Sequence, residues 1–75
     1  MLEIDPHLTE NFLRSLPEVV EAYAWIENGR LIAQVTVFDE IDLSPRALQV
    51  ACKVELGQKY TPGYLTLIRA KKRAA

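Results

Sequence analysis

Few side chains in this sequence combine the residue types and the spacing that catalysis or metal binding requires. His7 is the only histidine and Cys52 the only cysteine, so a zinc site built from four Cys and His ligands is excluded. His7 lies beside a predicted helix N-terminus, and a lone histidine in this position is more often a surface residue than a metal ligand or a catalytic base. Cys52 falls on the apolar side of a predicted helix with no base evident as a partner, so we expect a buried, unreactive thiol.

Acidic side chains and one glycine-bounded loop are the other candidates for a binding site. Four carboxylates offer oxygen ligands to a hard cation: Asp5, Asp39, Glu40 and Asp42. No complete ligand loop such as an EF-hand is present, and such carboxylates also serve as turn and cap residues. The loop GQKYTPG carries Lys59 and Tyr60 but lacks the GK[ST] ending of a P-loop. We therefore predict no catalytic residue, no metal site and no cofactor.

Two helices are marked by the same start signal. Asp5-Pro6 and Ser44-Pro45 each place a capping residue before a proline at the first helical position. Apolar residues then recur at helical spacing in both segments. The first helix is predicted over about residues 6–16, where Pro17 ends it, and the second runs until Gly57, which favours a helix stop.

A β-hairpin is predicted between the two helices. Residues 20–27 alternate in character, and Asn28-Gly29 is the preferred two-residue type I′ turn before a second strand over residues 31–38. The turn fixes the register of the two strands. One face of the hairpin then consists of small aliphatic pairs: Ile26 with Leu31, Ala24 with Ala33, Ala22 with Val35 and Val20 with Val37. This face suits packing under helices.

The other face of the hairpin carries larger side chains. It consists of Glu27 with Arg30, Trp25 with Ile32, Tyr23 with Gln34, Glu21 with Thr36, and Phe38 at its end. Two helices cover one face of a small sheet but not both, and a soluble monomer rarely exposes an apolar patch of this kind. We therefore predict an association interface formed by Tyr23, Trp25, Ile32, Gln34 and Phe38. The alternative is that a loop or the first helix wraps this face.

A third strand completes the predicted fold. The segment YLTLIR, residues 64–69, follows the second helix and gives the order α-β-β-α-β. The predicted fold class is a small α+β domain, an αββαβ two-layer sandwich with a three-stranded sheet and two helices on one face. It is one domain over residues 1–75, with residues 70–75 as a basic C-terminal tail. The position of the third strand in the sheet stays open at this point.

Composition narrows the classes of function. The 75 residues carry a formal net charge of −1, which gives no reason to expect nucleic acid as a partner. No apolar run is long enough to cross a membrane, and the charged N-terminal residues are unlike a signal peptide. A soluble, cytoplasmic protein without membrane or nucleic-acid partners is therefore predicted. A domain of this size buries only about 60% of its unfolded surface, and a partner chain is the remaining source of extra stability.

Residues 15–69 resemble the small C-terminal subdomain of the AMP-forming acyl/aryl-CoA synthetase family, also called the adenylate-forming family. LPEVVEA is similar to the opening pattern of that subdomain, and Gly29 followed by LIAQVTV is similar to its central strand. Leu43, Ser44, Leu48 and Cys52 match a helix pattern of the family, and KYTP matches the segment before its last strand. The resemblance implies the same small fold and an adenylate-forming enzyme as a partner.

The sequence differs from that family in the segment that carries the family's catalytic lysine. There the last strand leads to a Gly-Lys segment whose lysine orients the substrate carboxylate and AMP. Here the residues after the strand read RAKKRAA, without a glycine before a lysine. The resemblance therefore implies a standalone subdomain that lacks the catalytic lysine.

A second resemblance, ranked lower, is to the cytoplasmic domain of cation diffusion facilitators. That domain has the same αββαβ order, a strand similar to residues 19–25 and a closing strand similar to YLTLI. Its metal-binding histidines have no match here beyond His7, which lies outside the similar region.

Three hypotheses of function follow. The leading one is a non-catalytic protein-interaction module, homodimeric through the aromatic sheet face and accessory to an adenylate-forming or acyl-transfer enzyme. The second is a split lid subunit that completes a separate adenylating enzyme through Lys59, Tyr60 or the basic tail. The third is a sensor domain for a small ligand or metal, using the crevice between the sheet and the helices or the carboxylates of residues 39–42.

Overall fold

The computed structural model describes residues 4–71 and has the predicted α+β fold. Its elements are α1 (Pro6–Ser15), β1 (Val19–Glu27), β2 (Arg30–Phe38), α2 (Pro45–Leu56), a short 3-10 helix (Gln58–Tyr60) and β3 (Tyr64–Ala70). The 3-10 helix has no counterpart in the sequence prediction, and it turns the chain from α2 toward β3. Of the predicted basic tail, Ala70 belongs to β3 and Lys71 follows it, whereas residues 72–75 lie outside the described residues.

The predicted capping residues begin and end the helices. Asp5 Oδ1 accepts a hydrogen bond from the backbone N–H of His7 at 3.0 Å, and Ser44 Oγ accepts one from the backbone N–H of Ala47 at 3.1 Å. Both bonds satisfy N–H groups that a helix start would otherwise leave unpaired. Gly57 ends α2 at a φ of 93°, which a residue with a side chain adopts only under strain.

The predicted hairpin register is confirmed over most of its length. Asn28 and Gly29 both have positive φ, 52° and 74°, as a type I′ turn requires. The pairs between β1 and β2 are as predicted from Glu27 with Arg30, next to the turn, to Glu21 with Thr36.

The predicted pairing of Val20 with Val37 is wrong. β1 carries a bulge between Val19 and Glu21, so Val19 lies opposite Val37 instead. A bulge leaves its extra residue outside the ladder, and Val20 is accordingly exposed. The backbone N–H of Val19 donates to the C=O of Leu16 at 3.1 Å, which ties the start of the strand to the end of α1.

The third strand lies beside β2 and runs parallel to it. The sheet order is therefore β1-β2-β3, with β2 in the centre and the two other strands at the edges. α2 and the 3-10 helix form the long crossover that two parallel strands need. The structure thus settles the strand position that the sequence leaves open.

Both helices pack on the same face of the sheet. The buried core consists of Leu13 from α1, Leu48 and Cys52 from α2, and Ala22, Ala33, Val35, Val37 and Leu65 from the strands. Ile26 shares this face by register but remains exposed, so the helices do not cover the turn end of β1. Neither helix within residues 4–71 has the length and apolar character that a membrane crossing requires.

Candidate functional site

The sheet face opposite the helices is the most distinctive surface of the described chain. We call it the open face; by strand register it consists of Glu21, Tyr23, Trp25 and Glu27 on β1, Arg30, Ile32, Gln34, Thr36 and Phe38 on β2, and Tyr64, Thr66, Ile68 and Ala70 on β3. Tyr64 is 67% exposed, Tyr23 44% and Trp25 37%. All three rings therefore remain exposed among residues 4–71, which does not fit the alternative of a face wrapped by a loop or by the first helix, although one side chain of α1 reaches Tyr23.

The structure brings together all five residues of the predicted interface. Tyr23 and Trp25 are exposed because β1 is an edge strand, whereas Ile32, Gln34 and Phe38 are half-buried because β2 has neighbours on both sides. That these five residues form an interface stays a prediction.

Two members of the open face are missing from the predicted set. Tyr64 and Ile68 come from β3, where Tyr64 lies opposite Ile32 and Ile68 opposite Thr36. The alternation of YLTLIR indicates that Tyr64 and Ile68 lie on one side of a strand, but both sides of this strand are partly apolar. The sequence alone therefore does not say which side of β3 joins the aromatic rings.

Each of the two rings of β1 contacts a charged side chain. The guanidinium of Arg14 lies over the Tyr23 ring, 5.4 Å from its centroid, in a cation–π contact. The indole Nε1 of Trp25 donates to Glu27 Oε1 at 3.3 Å. Both rings are therefore oriented in the isolated chain, which reduces the ordering that a docking event would require.

The free edge of β1 is capped by side chains from α1. Glu10 Oε1 accepts from the backbone N–H of Ala24 at 2.9 Å, and Arg14 Nε donates to the C=O of Ala22 at 2.8 Å. Glu10 and Arg14 also form an ion pair at 3.7 Å. An edge strand whose backbone groups are occupied in this way is protected from pairing with another strand.

A shallow cavity of about 390 Å³ lies at the turn end of the open face. Its lining residues are Glu27, Asn28, Arg30, Ile32 and Tyr64. It continues the aromatic surface and adds both signs of charge to it.

The candidate residues for chemistry lie elsewhere and apart from one another. His7 is exposed beside the α1 start, with its Nδ1 3.2 Å from Asp5 Oδ1. Cys52 is fully buried in the core, as predicted, and burial raises the pKa of its thiol from 9.0 to about 11. A thiol with this pKa stays protonated near neutral pH and is a poor nucleophile.

The carboxylates and the 57–63 loop form no evident reaction centre. Within residues 4–71, no three His, Cys, Asp or Glu side chains lie close enough together to hold a metal ion. Lys59 Nζ lies 5.6 Å from the centroid of the Tyr60 ring, and the C=O of Tyr60 accepts from the buried Thr9 hydroxyl at 2.8 Å. The loop is therefore anchored to α1 as part of the fold.

Comparison with known proteins relates the fold to parts of much larger proteins. The amide bond synthetase McbA from Marinactinospora thermotolerans superposes with a TM-score of 0.73 at 22% identity, over 93% of this chain. IdnL1 superposes with a TM-score of 0.74 at 17% identity, over 92% of this chain. A malonyl-CoA ligase with methylmalonyl-CoA and AMP bound gives a TM-score of 0.63 at 21% identity, over 88% of this chain.

These likenesses concern the fold alone, because all are below 25% identity. The chain spans only 16% of McbA, 14% of IdnL1 and 16% of the malonyl-CoA ligase. No protein-family model matches the sequence, and no curated protein matches it either. Two of these neighbours are named as an amide bond synthetase and a malonyl-CoA ligase with AMP bound, so the resemblance that the sequence suggests is supported at the level of fold.

Proposed function

We propose that this chain is a non-catalytic interaction module that pairs with a second copy of itself through the open face. It acts as an accessory to an adenylate-forming or acyl-transfer enzyme. The observation that carries the proposal is the exposure of Tyr23, Trp25 and Tyr64 on a face that neither helix covers. Contiguous apolar surface of this kind marks contact sites in soluble proteins.

The size of the open face fits a weak dimer. Strands of seven to nine residues give a face about 30 Å long and about 15 Å wide, from the usual rise per residue and strand spacing. A face-to-face pair would remove about 1,000 Å² of surface from water in total, which is near the lower limit for a specific interface. We therefore expect association that depends on concentration.

The charges at the two ends of the open face suit pairing of identical copies. Arg30 lies at the turn end on β2, and Glu21 lies near the opposite end on β1. Among residues 4–71, ion pairs join Asp5 to His7 and Glu10 to Arg14, and Arg30 takes part in none. A two-fold axis in the interface, perpendicular to the strands, would bring Arg30 of each copy near Glu21 of the other.

A charge swap tests this arrangement. Arg30→Glu and Glu21→Arg should each weaken the dimer several-fold, because each places like charges together, and the double variant should recover wild-type association. Analytical ultracentrifugation over a concentration series measures the effect, with Glu18→Arg outside the face as the control. Variants that all associate as the wild type does would contradict the proposed axis. A wild type that stays monomeric would contradict the dimer itself.

A second candidate function is favoured by the shared fold. As a C-terminal subdomain of the adenylate-forming type, the chain would complete the active site of a separate adenylating protein as a lid subunit. The superposition over 93% of this chain and 16% of McbA supports this candidate. An adenylating enzyme truncated at its C-terminus and encoded next to this protein provides the test. Activity restored on mixing would favour the lid, and an intact neighbouring enzyme would weaken it.

A further inference from the structure

A polar groove on the helix side of the molecule differs in character from the open face. It has a volume of about 260 Å³ and lies between α2 and the 3-10 helix. Its lining residues are Arg46, Gln49, Val50, Lys53, Gln58 and Thr61. The lining thus contains two cations, two amides and a hydroxyl, with no carboxylate among them.

The two cations of the groove, Arg46 and Lys53, have no ion-pair partner among residues 4–71. They are seven residues apart on α2, which is about two turns, so they project on the same side of the helix. The acidic residue of this helix, Glu55, lies about 180° around the helix from Arg46 and does not line the groove.

Two hydrogen bonds from side chains to backbone carbonyls hold the walls of the groove in place. Gln49 Nε2 donates to the C=O of Pro62 at 3.1 Å, and the Thr61 hydroxyl donates to the C=O of Gly57 at 3.1 Å. These bonds fix α2 against the segment that leads into β3. The side chains of Arg46, Lys53 and Gln58 make no hydrogen bond or ion pair within residues 4–71, so they are the first groups that a ligand would meet.

We propose that this groove binds the phosphate group of a small phosphate monoester. A guanidinium and an ammonium provide the directed and the diffuse positive charge that phosphate oxygens prefer. The volume is below the about 300 Å³ at which pockets for drug-sized ligands begin. The groove therefore suits the phosphate and the few atoms next to it. Because it lies on the side of the sheet away from the open face, this site is independent of the proposed dimer.

The test is a titration with inorganic phosphate and glycerol 3-phosphate at constant ionic strength, followed by backbone amide NMR shifts. We expect saturable shifts at Lys53, Gln58 and Thr61 with both probes. Arg46→Gln and Lys53→Gln should each weaken binding at least fivefold, because each removes a charged hydrogen-bond donor. Lys71→Gln is the matched control, since it removes one positive charge from an exposed side chain that lines neither the groove nor the open face, and it should leave binding unchanged.

Three results would overturn the proposal. The first is an absence of saturation with either probe, and the second is equal shifts with sodium chloride at the same ionic strength. The third is an equal loss of binding in Lys71→Gln and Arg46→Gln, which would mean that only net charge matters. All three substituted side chains are exposed, and an unchanged circular dichroism spectrum verifies that each variant is folded.

Discussion

The two faces of the sheet are built from different kinds of residue. On β2, the side toward the helices carries Leu31, Ala33, Val35 and Val37, all buried, and the open face carries Ile32, Gln34, Thr36 and Phe38, all half-buried. Small side chains on the helix side let α1 and α2 approach the sheet closely. Larger rings on the edge strands of the open face contribute little to that core.

Under the proposed dimer, folding and association depend on separate sets of residues. A truncation on the helix side removes packing that the monomer needs. A truncation on the open face removes side-chain atoms that are already partly exposed to water in the monomer. The following substitutions test this separation at protein concentrations where the chain is a monomer.

Leu48→Ala should have the largest effect on folding. Leu48 is 1% exposed in the core, and a truncation of this kind typically costs about 2–5 kcal/mol. The matched variant Ile68→Ala, on the open face, should cost about 1 kcal/mol or less, because Ile68 is 39% exposed. Urea unfolding followed by circular dichroism measures both. Equal losses would mean that the two faces do not differ in the monomer.

Raising the pH above 9 should have the second-largest effect, because it destabilises the core. The pKa of Cys52 rises from 9.0 to about 11 on burial, so the folded state holds the thiol proton more tightly than the unfolded state does. The stabilisation is complete below pH 9 and is lost as the pH rises through 11; in full it amounts to about 2–3 kcal/mol. Cys52→Ala should remove this component from the pH dependence of urea unfolding. An unchanged alkaline slope in that variant would contradict the assignment.

Removal of the β1 edge cap should have the smallest of these effects. Glu10→Ala deprives the Ala24 N–H of its acceptor, and we expect a loss of about 1 kcal/mol because water reaches this edge. Hydrogen exchange at the Ala24 amide should speed up several-fold. The control Glu18→Ala removes the same charge from the turn between α1 and β1. Equal exchange in the two variants would mean that the Glu10 contact does not protect the edge.

Local signals explain why most of the fold is predictable from the sequence. The Asp5 and Ser44 caps, the Gly57 stop and the Asn28-Gly29 turn act within a few residues of themselves. From the turn, the register and the division of the hairpin into two faces follow without further information. For this reason the sequence is enough to predict that these five residues share one face of the hairpin.

The features that the sequence did not predict depend on contacts between distant segments. The place of β3 beside β2 joins residues about 32 positions apart in the chain, and YLTLIR is apolar on both sides. The bulge at Val20 breaks an alternation that looks continuous. The cap of β1 depends on Glu10 and Arg14 reaching a strand edge, and no pattern in the helix marks them for that role.

The most direct test of the proposed dimer is the solution mass of the wild-type protein by light scattering across a concentration series, measured together with the emission of Trp25. We expect the mass to rise from monomer to dimer and the emission to shift to the blue in parallel, because Trp25 would leave water as the open faces meet. A monomer at every concentration, with red-shifted emission that does not change, would contradict self-association through this face.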